Sequence, residues 1–161
     1  MAEIIGDDSG NILLGTADSD FIKGLAGADY IDGADGSDVI TGGEDGDILF
    51  GGDGIDGIDG GNGNDFCYGE DGIDFIEAGD GNDYLNGGQG DDFLVGQIGN
   101  DILDGGNGND FCDGGISSDI ILGGAGDDII TGGVGADDDL LFGGSGKDVF
   151  SFVEPAQGID T

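Results

Sequence analysis

Apolar side chains recur along this chain at every ninth residue. From Gly6 onward the sequence divides into blocks of nine, and the eighth residue of every block is apolar. Positions 7 and 9, on either side of it, are rich in β-branched and aromatic residues, whereas positions 1 to 6 are mainly Gly, Asp and Asn. Self-similarity at a fixed short period predicts a repeat architecture in which neighbouring repeats stack.

The register of nine is unbroken from residue 6 to residue 131. The block that starts at Gly132 carries two extra residues, near 136–137, and a last regular block covers 143–151. We number these sixteen blocks from 1 (6–14) to 16 (143–151). They predict one repeat domain over 6–151, with a lead-in at 1–5 and the truncated start of a C-terminal cap or flank at 152–161.

Each block predicts a tight turn followed by a short strand. Gly at positions 1, 2 and 4 permits positive φ angles, which suits a turn over the first six residues. The last three residues favour a strand. Because side chains alternate along a strand, position 8 points to one face and positions 7 and 9 to the other. Stacked blocks would therefore align their position-8 side chains in one apolar column, which no single block could bury alone.

Composition and net charge exclude several classes of function. Gly accounts for 41 of 161 residues, and 37 Asp and Glu against 2 Lys and Arg give a net charge of −35. Nucleic acid and anionic membrane surfaces are excluded as partners, because both require clustered cationic side chains. The absence of His excludes Ser-His-Asp and Cys-His catalysis and imidazole-ligated zinc. We expect no enzyme activity and no membrane insertion, and the first ten residues lack the features of a cleavable signal peptide.

The consensus of the blocks, GGxGxDxUx with U apolar, is complete at 60–68, 87–95, 105–113 and 123–131. It resembles the nonapeptide repeat of RTX, or hemolysin-type calcium-binding, proteins. The resemblance implies an all-β fold: a right-handed parallel β-roll, or β-solenoid, with two nonapeptides per coil, about eight coils and two parallel sheets. It also implies that Ca²⁺ ions lie between successive blocks on each side of the roll.

Ca²⁺ prefers six or more oxygen ligands, and Gly-rich turns with regular Asp residues can supply them. The resemblance implies carbonyl ligands from positions 2 and 4 of one block, from positions 1 and 3 of the next block on that side, and position-6 carboxylates from both. One such site would join Gly52, Gly54 and Asp56 to Gly69, Asp71 and Asp74; the neighbouring one would join Gly61, Gly63 and Asp65 to Ala78, Asp80 and Asp83.

The full set implied by the resemblance contains two kinds of ligand. The carboxylate ligands are the position-6 aspartates Asp20, Asp29, Asp38, Asp47, Asp56, Asp65, Asp74, Asp83, Asp92, Asp101, Asp110, Asp119, Asp128, Asp139 and Asp148. The backbone carbonyl ligands include Gly52, Gly54, Gly61, Gly63, Gly69, Asp71, Gly79, Gly81, Gly88, Gly90, Gly106, Gly108, Gly124 and Gly126.

Eight blocks on each side leave seven gaps per side, and therefore room for at most about fourteen Ca²⁺ ions. Fourteen ions would bring 28 positive charges against the net −35 of the chain. Departures from the consensus at Ser9, Asn11 and Asp18 weaken the first blocks. We therefore expect fewer than fourteen well-occupied sites, the best of them between residues 51 and 131.

Cys67 and Cys112 both occupy position 8, inside the expected column. Five blocks separate them, which places them on opposite sheets and about 12 Å apart along the stack at ~4.8 Å per coil. A disulfide requires Cα atoms within ~7 Å of each other. We expect two buried free thiols.

Three functions remain open. The chain is a calcium-binding module of a secreted bacterial protein, a structural or adhesive unit of an extracellular layer, filament or matrix, or the non-catalytic repeat domain of a secreted hydrolase. All three predict an extracellular or cell-surface location. Outward positions 7 and 9 of the odd-numbered blocks are apolar or aromatic in thirteen of sixteen cases, among them Phe50, Phe66 and Tyr68. Self-association through this sheet, or end-to-end stacking of rolls, is a further expectation.

Overall fold

The computed structural model describes residues 1–134 and 138–151, so the insertion at 136–137 and the flank at 152–161 lie outside the described residues. Within those ranges all regular structure is β-strand, and no helix is long and apolar enough to span a lipid bilayer. The strands are β1 Glu3–Ile5, β2 Ile12–Leu14, β3 Phe21–Ala26, β4 Tyr30–Asp32, β5 Asp35–Gly36, β6 Val39–Glu44, β7 Ile48–Gly54, β8 Gly57–Asn62, β9 Phe66–Gly72, β10 Phe75–Asp80, β11 Tyr84–Gln89, β12 Phe93–Ile98, β13 Ile102–Asn107, β14 Phe111–Ile116, β15 Ile120–Ala125, β16 Ile129–Thr131, β17 Leu140–Ser145 and β18 Val149–Ser151.

The strands form two parallel sheets, and successive blocks alternate between them. The odd-block sheet runs in the order β2, β4, β7, β9, β11, β13, β15, β17, with the short β5 also paired to β7. The even-block sheet runs β1, β3, β6, β8, β10, β12, β14, β16, β18. Neighbouring strands pair eighteen residues apart, as in Phe75 with Phe93. The predicted β-roll, with two nonapeptides per coil and about eight coils, is confirmed.

The two extra residues of block 15 do not disturb this alignment. Ile120 pairs with Leu140 and Ile129 with Val149, so the spacing rises from eighteen to twenty residues across the insertion while equivalent positions stay in register. At the other end, β1 in the lead-in pairs with β3 and places Ile4 beside Ile22. The lead-in therefore contributes a strand to the roll.

Most strands are longer than the three residues that the sequence predicts. They continue through positions 1 to 3 of the following block, as in β12, where the pairing with β10 extends to Ile98. The turn is confined to about positions 4 to 6. Glycines stack on the equivalent residues of the next coil, so backbone hydrogen bonding continues across them. The chain bends inside the strand at position 2, where φ is positive in blocks 3 to 16.

The predicted apolar column is confirmed except at its last position, where Phe150 is 40% exposed. Position-8 side chains from Ile22 to Ile130 are buried in one cluster, with Ala78 added to it, while Leu13 and Leu141 pack partly buried at its ends. Cys67 and Cys112 are free, buried and on opposite sheets, as expected.

The buried column predicts that two neighbouring residues of β13 contribute very differently to the free energy of unfolding. In calcium-containing buffer, Leu103→Ala should lower the free energy of unfolding by about 2–5 kcal/mol, because Leu103 is fully buried and its removal leaves a cavity. Ile102→Ala on the outward face, 39% exposed, should cost less than about 1 kcal/mol. Urea unfolding followed by circular dichroism measures both, and equal losses would contradict the assignment of the core.

Candidate metal centre

The position-6 aspartates lie in two columns, where the turns of successive coils stack. From Asp20 to Asp128 each of these side chains is at most 3% exposed. Asp139 is exposed and Asp148 half-buried, since they belong to the last described coil. A chain of net charge −35 has thus placed thirteen of its carboxylates in its interior.

One carboxylate oxygen of each aspartate binds the preceding coil. Oδ1 accepts a hydrogen bond from the backbone N–H of the position-6 residue eighteen residues earlier, as from Asp74 to Asp92 at 2.9 Å and from Asp56 to Asp74 at 2.9 Å. The series runs from the Ala2 and Asn11 donors at one end to Asp148 at the other. The sequence alone did not reveal this bond, which stitches the coils together.

The other oxygen, Oδ2, has no hydrogen-bond partner in twelve of these aspartates. They are Asp29, Asp38, Asp47, Asp56, Asp65, Asp74, Asp83, Asp92, Asp101, Asp110, Asp119 and Asp128. A buried anionic oxygen without a partner is costly, and buried charges in proteins are paired or bind metals. Each of these Oδ2 atoms is therefore a candidate cation ligand.

The glycine at position 1 of a block leaves space in front of the position-6 Oδ2 atom. An added Cβ on Gly105 would lie 2.5 Å from Asp110 Oδ2 and 2.5 Å from the carbonyl oxygen of Gly123, in the next block on that side. On Gly51 the corresponding distances, to Asp56 Oδ2 and the Gly69 carbonyl oxygen, are 2.6 and 2.8 Å. Glycine at position 1 thus keeps two oxygens from different coils facing one small space.

Carbonyls at the other glycine-rich positions face the same gaps. A Cβ on Gly72 or on Gly106 would collide with the carbonyl oxygen of Gly54 or Gly88 respectively, so position-2 and position-4 carbonyls point toward the following coil. Position-3 carbonyls point back toward the preceding coil, since Asp80 O accepts the Gly63 N–H at 2.8 Å. A carbonyl oxygen has two lone pairs, so one hydrogen bond leaves acceptor capacity.

Burial changes the acidity of the aspartates. It raises the pKa of Asp47 and Asp119 to about 7, with neighbouring carboxylates adding to the effect. Burial likewise raises the pKa to about 6 at Asp56, Asp65, Asp74, Asp83, Asp92, Asp101 and Asp110. In the absence of a cation, folding therefore disfavours the ionised form of these groups.

The donor set fits a hard, oxygen-binding cation. Within residues 1–134 and 138–151, no three metal-ligating side chains come together. A cation in a gap must therefore draw on backbone carbonyls as well as the carboxylate. Such ligands suit Ca²⁺ rather than metals that prefer sulfur or imidazole.

Position 5 carries a second ladder that the sequence analysis missed. Its side-chain oxygen accepts the backbone N–H of position 5 in the next coil: Asn82 to Asn64 at 2.8 Å, Asn100 to Asn82 at 2.8 Å, and Asp127 to Asn109 at 2.9 Å. The recurrence of Asn, Asp and Ser at position 5 was the available signal. This ladder holds the coils together without using the position-6 carboxylates.

Comparison with known proteins agrees with the residue pattern. The family model of the RTX calcium-binding nonapeptide repeat, four copies in length, matches residues 5–40, 41–76, 77–112, 104–138 and 113–150. No curated protein matches the chain. The matched segments cover nearly all of the roll, and the chain therefore belongs to the RTX calcium-binding nonapeptide-repeat family.

Proposed function

We propose that this chain is the calcium-binding RTX module of a secreted bacterial protein, and that it folds when it meets extracellular Ca²⁺. The observation that carries the proposal is the row of twelve buried Oδ2 atoms without a partner. Nothing among the described residues neutralises them, and ten of the twelve lie close to a position-1 carbonyl oxygen of the next block on their side, the exceptions being Asp83 and Asp119. We assign no catalytic role to these residues.

The proposed ligands follow the direction in which each group points. In one gap, the carbonyls of Gly52 and Gly54 and the carboxylate of Asp56 point forward, while the Gly69 and Asp71 carbonyls and the Asp74 carboxylate come from the next block. The other gaps repeat this set eighteen residues apart. Bound Ca²⁺ supplies the positive charge that makes burial of the carboxylates favourable.

Calcium binding and folding are coupled in this proposal. The ligands of each gap come from two coils, so no complete site exists in the unfolded chain and binding free energy becomes folding free energy. Without calcium, the net charge of −35 and the buried carboxylates oppose compaction. Extracellular calcium modules bind at about 10⁻⁴–10⁻³ M, well above cytosolic calcium, so the chain would be unfolded inside a cell.

Circular dichroism tests the coupling. In chelator at pH 7.5 we expect a disordered spectrum, and millimolar Ca²⁺ should produce a cooperative β spectrum while Mg²⁺ at the same concentration does not. Acid should partly replace calcium: the folded pKa values lie above the ordinary values, so the folded state binds more protons and gains stability as pH falls from about 7 toward 5. A full β spectrum in excess chelator at pH 7.5 would contradict the proposal.

A single-atom change tests the carboxylate ligands. Asp92→Asn keeps an acceptor for the Asp74 N–H but replaces the unpartnered oxygen with an amide donor. It should destabilise the calcium-loaded roll by about 1.5–3 kcal/mol and raise the calcium midpoint of folding. Asp53→Asn removes the same charge from an exposed residue at position 3, and it should leave the calcium midpoint nearly unchanged. Equal midpoints for the two variants would remove Asp92 from the ligand set.

A structural or adhesive role is the second candidate, and the outward face of the odd-block sheet favours it. Phe50 and Tyr68 stack with their ring centroids 4.9 Å apart, Tyr30 and Tyr84 extend the row, and Phe66 is 47% exposed. Eight strands at ~4.8 Å by three residues at ~3.3 Å give a strip of roughly 400 Å². Two copies face to face would bury an area typical of weak association, and few charges on the strip oppose it.

Sedimentation velocity in millimolar Ca²⁺ tests this second role. Wild type should form concentration-dependent dimers or larger species, because apposed odd-block sheets hide Phe50, Phe66 and Tyr68 from water. Phe50→Ser with Phe66→Ser should shift the equilibrium to monomer without changing the β spectrum. Phe75→Ser with Phe93→Ser, on the even-block sheet, is the matched control. A monomeric wild type at all concentrations would rule out this contact.

A further inference from the structure

The first coil of the roll differs from all later coils in its backbone. From block 3 onward, every position-2 residue has a positive φ, between 72° at Gln97 and 129° at Gly43. This holds even for Leu25, Ala34 and Glu70, although such angles are unfavourable for residues with a Cβ. Among the described position-2 residues, Asp7 and Thr16 alone keep a negative φ.

In blocks 1 and 2 the backbone N–H of position 2 donates a hydrogen bond to the side chain of position 6. In block 2, the Thr16 N–H and the Thr16 hydroxyl both donate to Asp20 Oδ2, each at 2.8 Å. Oδ2 is the atom that has no partner in the twelve aspartates from Asp29 to Asp128. The Asp20 carboxylate is thus satisfied within its own turn, and Oδ1 accepts the Ala2 N–H of the lead-in.

In block 1 the position-6 side chain is neutral, and it too accepts a hydrogen bond from position 2 of its own block. Asn11 replaces aspartate at position 6, and its Oδ1 accepts the Asp7 N–H at 2.8 Å. Asp7 in turn accepts hydrogen bonds from the Ser9 N–H, the Ser9 hydroxyl and Asn11 Nδ2. No buried oxygen in this turn is left without a donor among the described residues.

We infer that blocks 1 and 2 form a calcium-independent cap that closes the N-terminal end of the roll with hydrogen bonds. Asp20 is then a cap residue and not a calcium ligand, and the gaps that follow blocks 1 and 2 take no ion. A solenoid needs terminal repeats that differ from the interior ones, because the outermost coil has a neighbour on one side only. The inference rests on the proposed function.

The cap also determines how many Ca²⁺ ions we expect the roll to bind. The unpartnered Oδ2 atoms belong to blocks 3 to 14, and each of these blocks is followed by another block on its side of the roll. One ion for each gives twelve sites, rather than the fourteen that the gaps alone would allow. Twelve ions bring 24 positive charges to a chain of −35 and leave −11.

Calcium stoichiometry of the full chain tests the cap. Native mass spectrometry and equilibrium dialysis at saturating Ca²⁺ should both give twelve ions for wild type. Asp38→Asn, in the next block on the same side, should lower the count by one. Asp20→Asn should leave it at twelve, because the Asp20 carboxylate holds no ion in the cap; the single amide oxygen can keep only one of the two backbone hydrogen bonds, from Ala2 or from Thr16. Both variants should fold at saturating calcium, as circular dichroism will show.

The outcomes separate the two proposals. Fourteen ions in wild type, or a loss of one ion in Asp20→Asn as in Asp38→Asn, would overturn the cap while leaving calcium-coupled folding intact. A chain that binds no calcium would overturn the proposed function itself. If Asp20→Asn fails to fold, the amide exchange of wild type decides: a Thr16 N–H that exchanges as fast as an exposed amide in the calcium-loaded roll contradicts the cap.

Discussion

The structure depends on a carboxylate that serves two coils at once. Each interior position-6 aspartate gives Oδ1 to the backbone of the preceding coil and directs Oδ2 toward the following one. The first contact is complete in the protein alone, whereas the second lacks a positive partner. Burial of twelve such oxygens opposes folding at neutral pH, because each ionised group gives up its hydration, and in the proposed function bound calcium offsets this cost. In the proposed function, the roll is therefore stable when the apolar column is buried and cations fill the gaps between coils.

Glycine makes this arrangement possible for reasons that differ by position. At position 1 it leaves the space between a carboxylate and the next carbonyl, and Ala78 is the one exception in the sixteen blocks. At position 2 a positive φ bends the strand, and Leu25, Ala34, Glu70 and Gln97 adopt it although they are not glycine. The stacking geometry of the coil therefore overrides local preference, since equivalent residues must hold the same conformation to pair eighteen residues apart.

The period of nine was enough to predict stacked short strands and the buried position-8 column, because stacking converts periodicity directly into burial. The β-roll with two nonapeptides per coil, and with it the placing of the two free cysteines on opposite sheets, was implied by the resemblance to RTX repeats. The pattern also singled out the position-6 aspartates. The extension of strands through positions 1 to 3, the Oδ1 stitch and the position-5 ladder were not predicted, because they depend on which way individual backbone groups point. In the first coil, Ser9, Asn11 and Asp18 departed from the consensus in the sequence, whereas the hydrogen bonds from Thr16 to Asp20 depend on the backbone conformation at Thr16.

The shared aspartate also couples neighbouring gaps. In the proposed function, a cation bound by Oδ2 of Asp74 would orient the same side chain whose Oδ1 accepts the Asp56 N–H, and so would order the coil before it as well as the coil after it. The position-5 ladder adds parallel contacts. On the odd-block side it begins at Asn64, because Ala28 and Gly46 before it have no side-chain oxygen, and on the even-block side it begins at Ser19. Interface contacts of this kind make the stability of each coil depend on its neighbours. Folding should then spread along the roll as an ordered front, with a calcium dependence steeper than that of independent sites.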